Sequence, residues 1–111
     1  MNTRHPRHEL DEIVHAPVRF SIMATLAAAS KAEFGFVRDT VEVSDSVLSK
    51  QVTTLEKAGY VKVTKGYVGK RPRTWLALTP TGLTAFTNHL ATLRAIAEAS
   101  AQAAPEPEDE S

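Results

Sequence analysis

The chain has 111 residues, no cysteine, and thirteen basic residues that balance thirteen acidic ones, so its formal net charge at pH 7 is zero. This length favours a single domain, and the absence of cysteine excludes disulfides and thiolate metal sites. Because the charged N-terminal stretch lacks the apolar core of a secretory signal and every apolar run is too short to span a membrane, we expect a cytoplasmic protein.

The charges are unevenly distributed along the chain. Between residues 44 and 75, seven lysines and arginines stand against two acids, and four other acids cluster near the C-terminus. A basic segment hidden within a neutral total indicates binding of a polyanion more specifically than net charge does.

The N-terminal part is expected to contain a flexible arm and two helical segments. Residues 1–9 are polar and predict the arm, and Leu10, Ile13 and Val14 follow at helical spacing. Proline disfavours the α conformation in the residue before it, so Pro17 breaks this segment and suits the first position of a new helix, predicted to run to about Ala29.

A helix-turn-helix is predicted between Phe34 and Gly59. Phe34, Val37 and Val41 recur at steps of three and four, which places them on one face of a first helix. Ser44 suits the N-cap of a second helix, because its hydroxyl can accept from an unpaired backbone N–H. Gly59 suits its end.

The second of these helices has two contrasting faces. Leu48, Val52 and Leu55 form the apolar face, and the opposite stripe is polar and cationic, with Ser46, Lys50, Thr53 and Lys57. Hydroxyls and ammonium groups on a short helix match the base edges and phosphates of a DNA major groove. A solvated surface helix is the alternative for this element alone.

A β-hairpin follows. Val61 and Val63 alternate with polar residues, and Thr74 to Leu78 alternate again, which predicts two strands. The segment between them, residues 65–73, is expected to be a basic loop whose charge a narrow minor groove would attract. A merely solvated hairpin tip is the alternative.

The last element is predicted to be a helix from residue 79 to residue 102. Thr79 suits its N-cap and Pro80 its first position. Apolar residues then recur at steps of three and four, as in a coiled-coil seam, and they predict a dimer interface: Leu83, Phe86, Leu90, Leu93 and Ala97. Packing against the helix's own domain is the alternative. Residues 103–111, rich in proline and acid, are expected to be disordered.

The remaining polar residues suggest no catalytic or metal site. Four histidines, with Glu9, Asp11 or Glu12 nearby, offer potential zinc ligands, but nothing in their spacing defines a site. No motif assembles a nucleophile, a base and an orienting acid, so we expect neither an enzyme nor a bound cofactor.

Three ordered motifs resemble the winged helix-turn-helix regulators of the MarR and ArsR type. They are HxPxRFxIxxxL from His15 to Leu26, VSDSVLSKQVTTLEKAGYV from Val43 to Val61, and GKRPRTWLALTPTG from Gly69 to Gly82. The resemblance spans about Leu10 to Ile96 and implies a DNA-binding dimer. It also implies which side chains contact DNA: on the helix Ser49, Lys50, Gln51 and Thr53, and on the wing Lys70, Arg71 and Arg73.

The expected protein is therefore an α+β winged helix-turn-helix domain, mostly helical, with a two-stranded hairpin wing and a long C-terminal helix that dimerises. We expect it to bind a near-palindromic operator in double-stranded DNA as a homodimer and to repress transcription. The alternative is a winged helix that contacts proteins instead of DNA. A small-molecule effector stays open, because the chain lacks the cysteine ligands of ArsR-type sensors and is shorter than typical MarR proteins.

Overall fold

A computed structural model describes residues 4–103. A short 3-10 helix at Pro6–Glu9 precedes five α-helices and three β-strands, which follow in this order: α1 (Glu12–His15), α2 (Pro17–Ala27), β1 (Ala32–Glu33), α3 (Phe34–Val41), α4 (Asp45–Lys57), β2 (Val61–Val68), β3 (Arg71–Leu78) and α5 (Pro80–Ala103). The α+β winged helix-turn-helix architecture predicted from the sequence is confirmed. Residues 104–111 of the predicted acidic tail lie outside the described residues.

One hydrophobic core lies between the helices and one face of the sheet. Helix α2 supplies Ile22, Met23 and Leu26, all fully buried, and helix α4 adds Leu48 and Leu55. The predicted apolar stripe of α4 is thus its buried face, which orients the polar stripe outward.

The turn of the helix-turn-helix spans Glu42 to Ser44. Glu42 adopts a left-handed conformation, with φ of 61°, and its N–H donates to the Arg38 carbonyl to close α3. Ser44 caps α4 as predicted, since its hydroxyl accepts from the Val47 N–H at 3.2 Å. The Arg38 guanidinium also bridges to Asp45 at 2.8 Å, which ties the two helices together.

The sheet differs from the sequence prediction in two ways. Strand β1 joins it, giving the order β1-β3-β2, so the sheet has three strands although the wing itself remains a hairpin of two. The predicted loop at residues 65–73 is wrong, because β2 continues to Val68 and β3 begins at Arg71. Only Gly69 and Lys70 form the turn, and Gly69 has φ of 64°, as two-residue hairpin turns require.

Helix α5 begins where the sheet meets the end of α4. The Gly82 N–H donates to the Thr79 hydroxyl at 2.9 Å, which confirms the predicted cap. The same hydroxyl donates to the Gly59 carbonyl at 2.6 Å, and the Thr79 N–H donates to the Tyr60 carbonyl at 3.0 Å. These bonds join α5 directly to the end of the second helix of the helix-turn-helix.

The N-terminal segment is more ordered than the sequence predicts. Pro6–Glu9 form a 3-10 helix that packs beside α5, whereas a flexible arm through residue 9 was expected. The His5 ring caps this turn by accepting from the Arg7 N–H at 3.1 Å. The predicted arm is therefore corrected for residues 6–9.

None of the helices between residues 4 and 103 combines the length and the hydropathy that a membrane span needs.

Candidate nucleic-acid interface

The outward face of α4 is a continuous polar surface. Its buried side holds the helix against the core, and five of the predicted contact residues are exposed on the other side: Ser46, Ser49, Lys50, Thr53 and Lys57. Two hydroxyls on this helix donate back to carbonyls one turn earlier, Thr53 to Ser49 at 2.9 Å and Thr54 to Lys50 at 3.3 Å. The face therefore presents hydroxyl oxygens and ammonium groups along about three turns of helix.

Gln51 does not belong to this exposed face. Its side-chain carbonyl accepts a hydrogen bond from the Arg19 guanidinium at 2.9 Å, and Arg19 also donates to the backbone of Ile13 at 2.6 Å. Gln51 thereby links α4 to α1 and α2. The Gln51 acceptor oxygen is already occupied inside the domain, so its NH₂ group remains for the DNA contact, which stays a prediction.

The wing carries its predicted cations in two different environments. Lys70 and Arg71 are exposed at the hairpin turn, and neither forms an ion pair with any residue in the range 4–103. Arg73 instead pairs with Glu33 at 2.6 Å, and each of these two side chains is about a third exposed. Glu33 offsets the charge of Arg73, which leaves Lys70 and Arg71 as the free cations at the tip.

Strand alternation separates the cations of the wing onto two faces. Lys65 pairs with Thr74 in the β2–β3 register, and Gly66 pairs with Arg73. Successive residues of a strand point to opposite sides, so Lys65 and Thr74 lie on the face toward α4, and Arg71 and Arg73 lie on the outer face. The sequence prediction placed Lys65 in a loop and Thr74 at the start of a strand, and it named neither as a candidate contact; the alternation of a longer β2 would have placed Lys65 on this face.

The apolar seam predicted on α5 is divided between the domain and the solvent. Phe86 is only 8% exposed and stacks on Phe20 with ring centroids 5.4 Å apart. Phe86 therefore belongs to the chain's own core, whereas the sequence placed it in the predicted dimer interface. Leu83 and Leu90 are 49% and 44% exposed, Ala97 is exposed, and Leu93 is half-buried.

A histidine pair joins α1 to α5. His89 is 2% exposed, its Nδ1 lies 3.4 Å from the Asp11 N–H, and its Nε2 lies 3.3 Å from Nδ1 of His15. Because Nδ1 of His89 accepts from the Asp11 N–H, the single proton of a neutral His89 ring lies on Nε2. From there it can be donated to His15. Burial lowers the pKa of His89, and the neighbouring His15 lowers it further.

The same network extends to Tyr60 at the end of α4. The Tyr60 hydroxyl donates to Asp11 at 2.6 Å. This bond is the main cause, and burial the second, that raises the pKa of Tyr60 to about 12. The other Asp11 oxygen caps α1 through the Ile13 N–H at 2.9 Å. Within residues 4–103, no three His, Asp or Glu side chains converge on a common metal position.

The exposed face of α4 and the basic wing beside it are features of a DNA-binding winged helix. A family model described as a winged helix DNA-binding domain matches residues 18–97. The chain belongs to this family. It has the winged helix-turn-helix fold that the three sequence motifs predicted.

Known proteins of both archaea and bacteria are similar to this chain. A solved transcriptional regulator homologue from Pyrococcus horikoshii has a TM-score of 0.81 at 27% identity, over 87% of this chain and 98% of that chain. A putative MarR-family regulator from Enterococcus faecalis has the same fold, with a TM-score of 0.68 at 21% identity over 92% and 91% of the two chains. An uncharacterized protein of Methanocaldococcus jannaschii is 28% identical over 71% of this chain and 86% of its own length.

Proposed function

We propose that this protein binds a specific near-palindromic operator in double-stranded DNA as a homodimer, without catalysis, and represses transcription by obstructing polymerase in the cytoplasm. The observation that carries the proposal is the exposed stripe of hydroxyls and lysines on α4, beside the free cations of the wing tip. Such a helix suits the major groove, and the tip suits the adjacent minor groove.

The exposed leucines of α5 support the homodimer. Leu83 and Leu90 lie seven residues apart on one side of a helix of 24 residues, and neither is covered by the chain's own core. Two-fold pairing would place two recognition helices about 34 Å apart, so half-site centres would lie about 10 base pairs apart or a multiple of that. A palindrome is the matching DNA symmetry.

Selection of bound fragments from genomic DNA tests the proposal. We expect the recovered sites to share a near-palindromic sequence, and we expect their affinity to fall with salt at a log–log slope of about −0.9 for each phosphate contacted. Failure to retain any fragment at low salt, or salt-independent retention, would contradict DNA binding by this surface.

The helix and the wing should contribute differently to recognition. Lys50→Ala should relax base preference at one operator position and cost on the order of 1 to 3 kcal/mol if a bidentate base contact is lost. Arg71→Ala should weaken binding to all sequences more evenly, because a phosphate contact carries no sequence information. The affinities of both variants for the operator and for operators with single-base changes give the comparison. If only Arg71→Ala changed the base preference, the roles of helix and wing would be the reverse of those proposed.

A further inference from the structure

A groove of about 320 Å³ runs between α4 and the inner face of the wing. Its floor is apolar, formed in part by Val52, Val63 and Leu76. Its walls are polar: Ser49, Thr53 and Glu56 stand on the α4 side, and Lys65 and Thr74 stand on the wing side. Lys65 is the only basic residue among those lining the groove, and Glu56 is the only acidic one.

The position of this groove determines what part of DNA can occupy it. The proposed function inserts α4 into a major groove and the wing tip into the adjacent minor groove. One sugar-phosphate strand always separates a major groove from the minor groove beside it. Two elements of one rigid domain that enter these neighbouring grooves must therefore straddle that strand, and the space between them is the groove bounded by Lys65 and Ser49.

We propose that this groove seats the sugar-phosphate strand, with the Lys65 ammonium and the Thr74 hydroxyl binding its phosphates from the wing side. The inference rests on the proposed function and adds two contact residues to it. Thr53 already donates its hydroxyl proton to the Ser49 carbonyl, so it presents an acceptor to the groove. Lys65, Thr74 and the Ser49 hydroxyl are the donors that remain for phosphate oxygens.

Lys62 provides a matched control within the same strand. It is exposed, as Lys65 is, and carries the same charge, but it lies three residues earlier and therefore on the opposite face of β2. There it lines a separate cavity of about 230 Å³ with Lys31 and Trp75. A phosphate seated between α4 and the wing is out of reach of Lys62, so the two lysines should behave differently on DNA.

Glu56 gives an independent prediction of opposite sign. Its carboxylate faces a groove in which a phosphate strand would lie, and like charges at short range repel. Glu56→Gln should therefore tighten DNA binding several-fold at low salt, and the gain should shrink as salt screens the repulsion. Weaker binding by Glu56→Gln would overturn the placement of phosphates beside this residue.

The main test measures binding of selected genomic duplexes by fluorescence anisotropy across a range of potassium chloride concentrations. Lys65→Ala should reduce the magnitude of the log–log salt slope by about 0.9 for each bound protomer. Lys62→Ala should leave the slope unchanged, and Lys65→Arg should retain it. Circular dichroism melts of all variants establish that each is folded, and Lys65→Gln, which also removes the charge, gives the comparison if the alanine variant unfolds.

The outcomes separate the two proposals. If the wild type binds DNA and the slopes of Lys65→Ala and Lys62→Ala are equal, the seating of the strand is wrong while the proposed function stands. If the wild type retains no DNA, both proposals fail. Neutral methylphosphonates, placed one at a time along the operator, should abolish the difference in affinity between wild type and Lys65→Ala at one phosphate per half-site. The absence of any such position would also contradict the inference.

Discussion

Gly82 shows how a single residue controls the junction between α5 and the end of α4. A Cβ atom at this position would lie 2.1 Å from the Tyr60 carbonyl oxygen and 2.9 Å from its Cα. Both are backbone atoms, so neither can move aside as a flexible side chain would. The absence of a side chain is therefore what lets Thr79, at the start of α5, donate its hydroxyl and its N–H to the Gly59 and Tyr60 carbonyls.

Gly82→Ala should destabilise the domain by more than about 3 kcal/mol, at or beyond the upper end of ordinary overpacking costs. Urea denaturation followed by circular dichroism would measure the change in the free energy of unfolding. Gly66→Ala is the control, because a Cβ there has no neighbour within 4 Å. Equal stability of the two variants would contradict the close approach of α5 to Tyr60.

His89 makes the stability of the domain depend on pH. Its pKa is lowered from 6.5 by burial and by His15, so the folded protein favours the neutral ring more strongly than the unfolded chain does. The contribution is fully present above pH 6.5 and is lost as pH falls toward the folded pKa, because the unfolded state then binds more protons. His15 and Asp11 face this ring, and Asp11 partly opposes the shift.

We therefore expect the free energy of unfolding to fall as pH drops below about 6.5, where the histidine of the unfolded chain gains a proton before that of the folded protein does. His89→Gln should make this fall shallower, and His8→Gln, at an exposed position, should not. Denaturation midpoints for the three proteins at several pH values give the comparison. Identical pH profiles for His89→Gln and wild type would show that another group is responsible.

At the scale of elements, the start of α4 depends on its cap. The Ser44 hydroxyl accepts from the Val47 N–H and lies 3.3 Å from the Ser46 hydroxyl, so two neighbouring serines have different tasks. Ser44→Ala should cost about 1 kcal/mol of stability through an unpaired N–H. Ser46→Ala should leave thermal stability nearly unchanged and weaken operator binding. Melting curves and DNA-binding anisotropy on both variants give the comparison. Loss of stability in Ser46→Ala rather than in Ser44→Ala would contradict this assignment.

The wing shows why an element can be longer than its sequence pattern indicates. Glycine and proline are typical of loops, and residues 65–73 contain Gly66, Gly69 and Pro72. Gly66 and Pro72 nevertheless lie within paired strands at the exposed end of the hairpin, where a strand edge faces solvent and tolerates both residues. Gly69 alone has the positive φ that the turn needs.

At the scale of the whole molecule, the exposed leucines of α5 provide the proposed contact with a second chain. Leu90→Glu should yield a monomer, because a charge would be buried in an apolar interface in which each leucine contributes about 1.5 to 3 kcal/mol. Thr84→Glu, on a different side of α5, should remain dimeric. Sedimentation at micromolar concentration would distinguish the two, and a monomeric wild type would contradict the dimer.

The same substitution should also lower operator affinity, although Leu90 need not touch DNA. A monomer holds one half-site, and linking two half-site contacts raises affinity by effective concentration alone. Leu90→Glu should therefore weaken binding to the full operator strongly and to an isolated half-site little. Equal losses on both duplexes would show that the substitution acts through the DNA-binding surface.

The sequence by itself determined the architecture, because local rules act within each segment. The apolar spacing of α3 and α4, the caps at Ser44 and Thr79 and the stop at Gly59 depend on residues a few positions apart. The three motifs that resemble MarR and ArsR regulators likewise lie within continuous stretches. For that reason, the helix-turn-helix and the outward stripe containing Lys50 were predictable.

The tertiary structure alone decided which of these side chains remain available. The Gln51 acceptor oxygen is engaged by Arg19, and the Arg73 charge is paired with Glu33, through contacts between residues far apart in the chain. Phe86 packs against Phe20 in the core, and Lys65 lines the groove beside α4 because β2 continues to Val68. Periodicity specifies the face on which a side chain lies, but the partner that meets it depends on how distant segments pack.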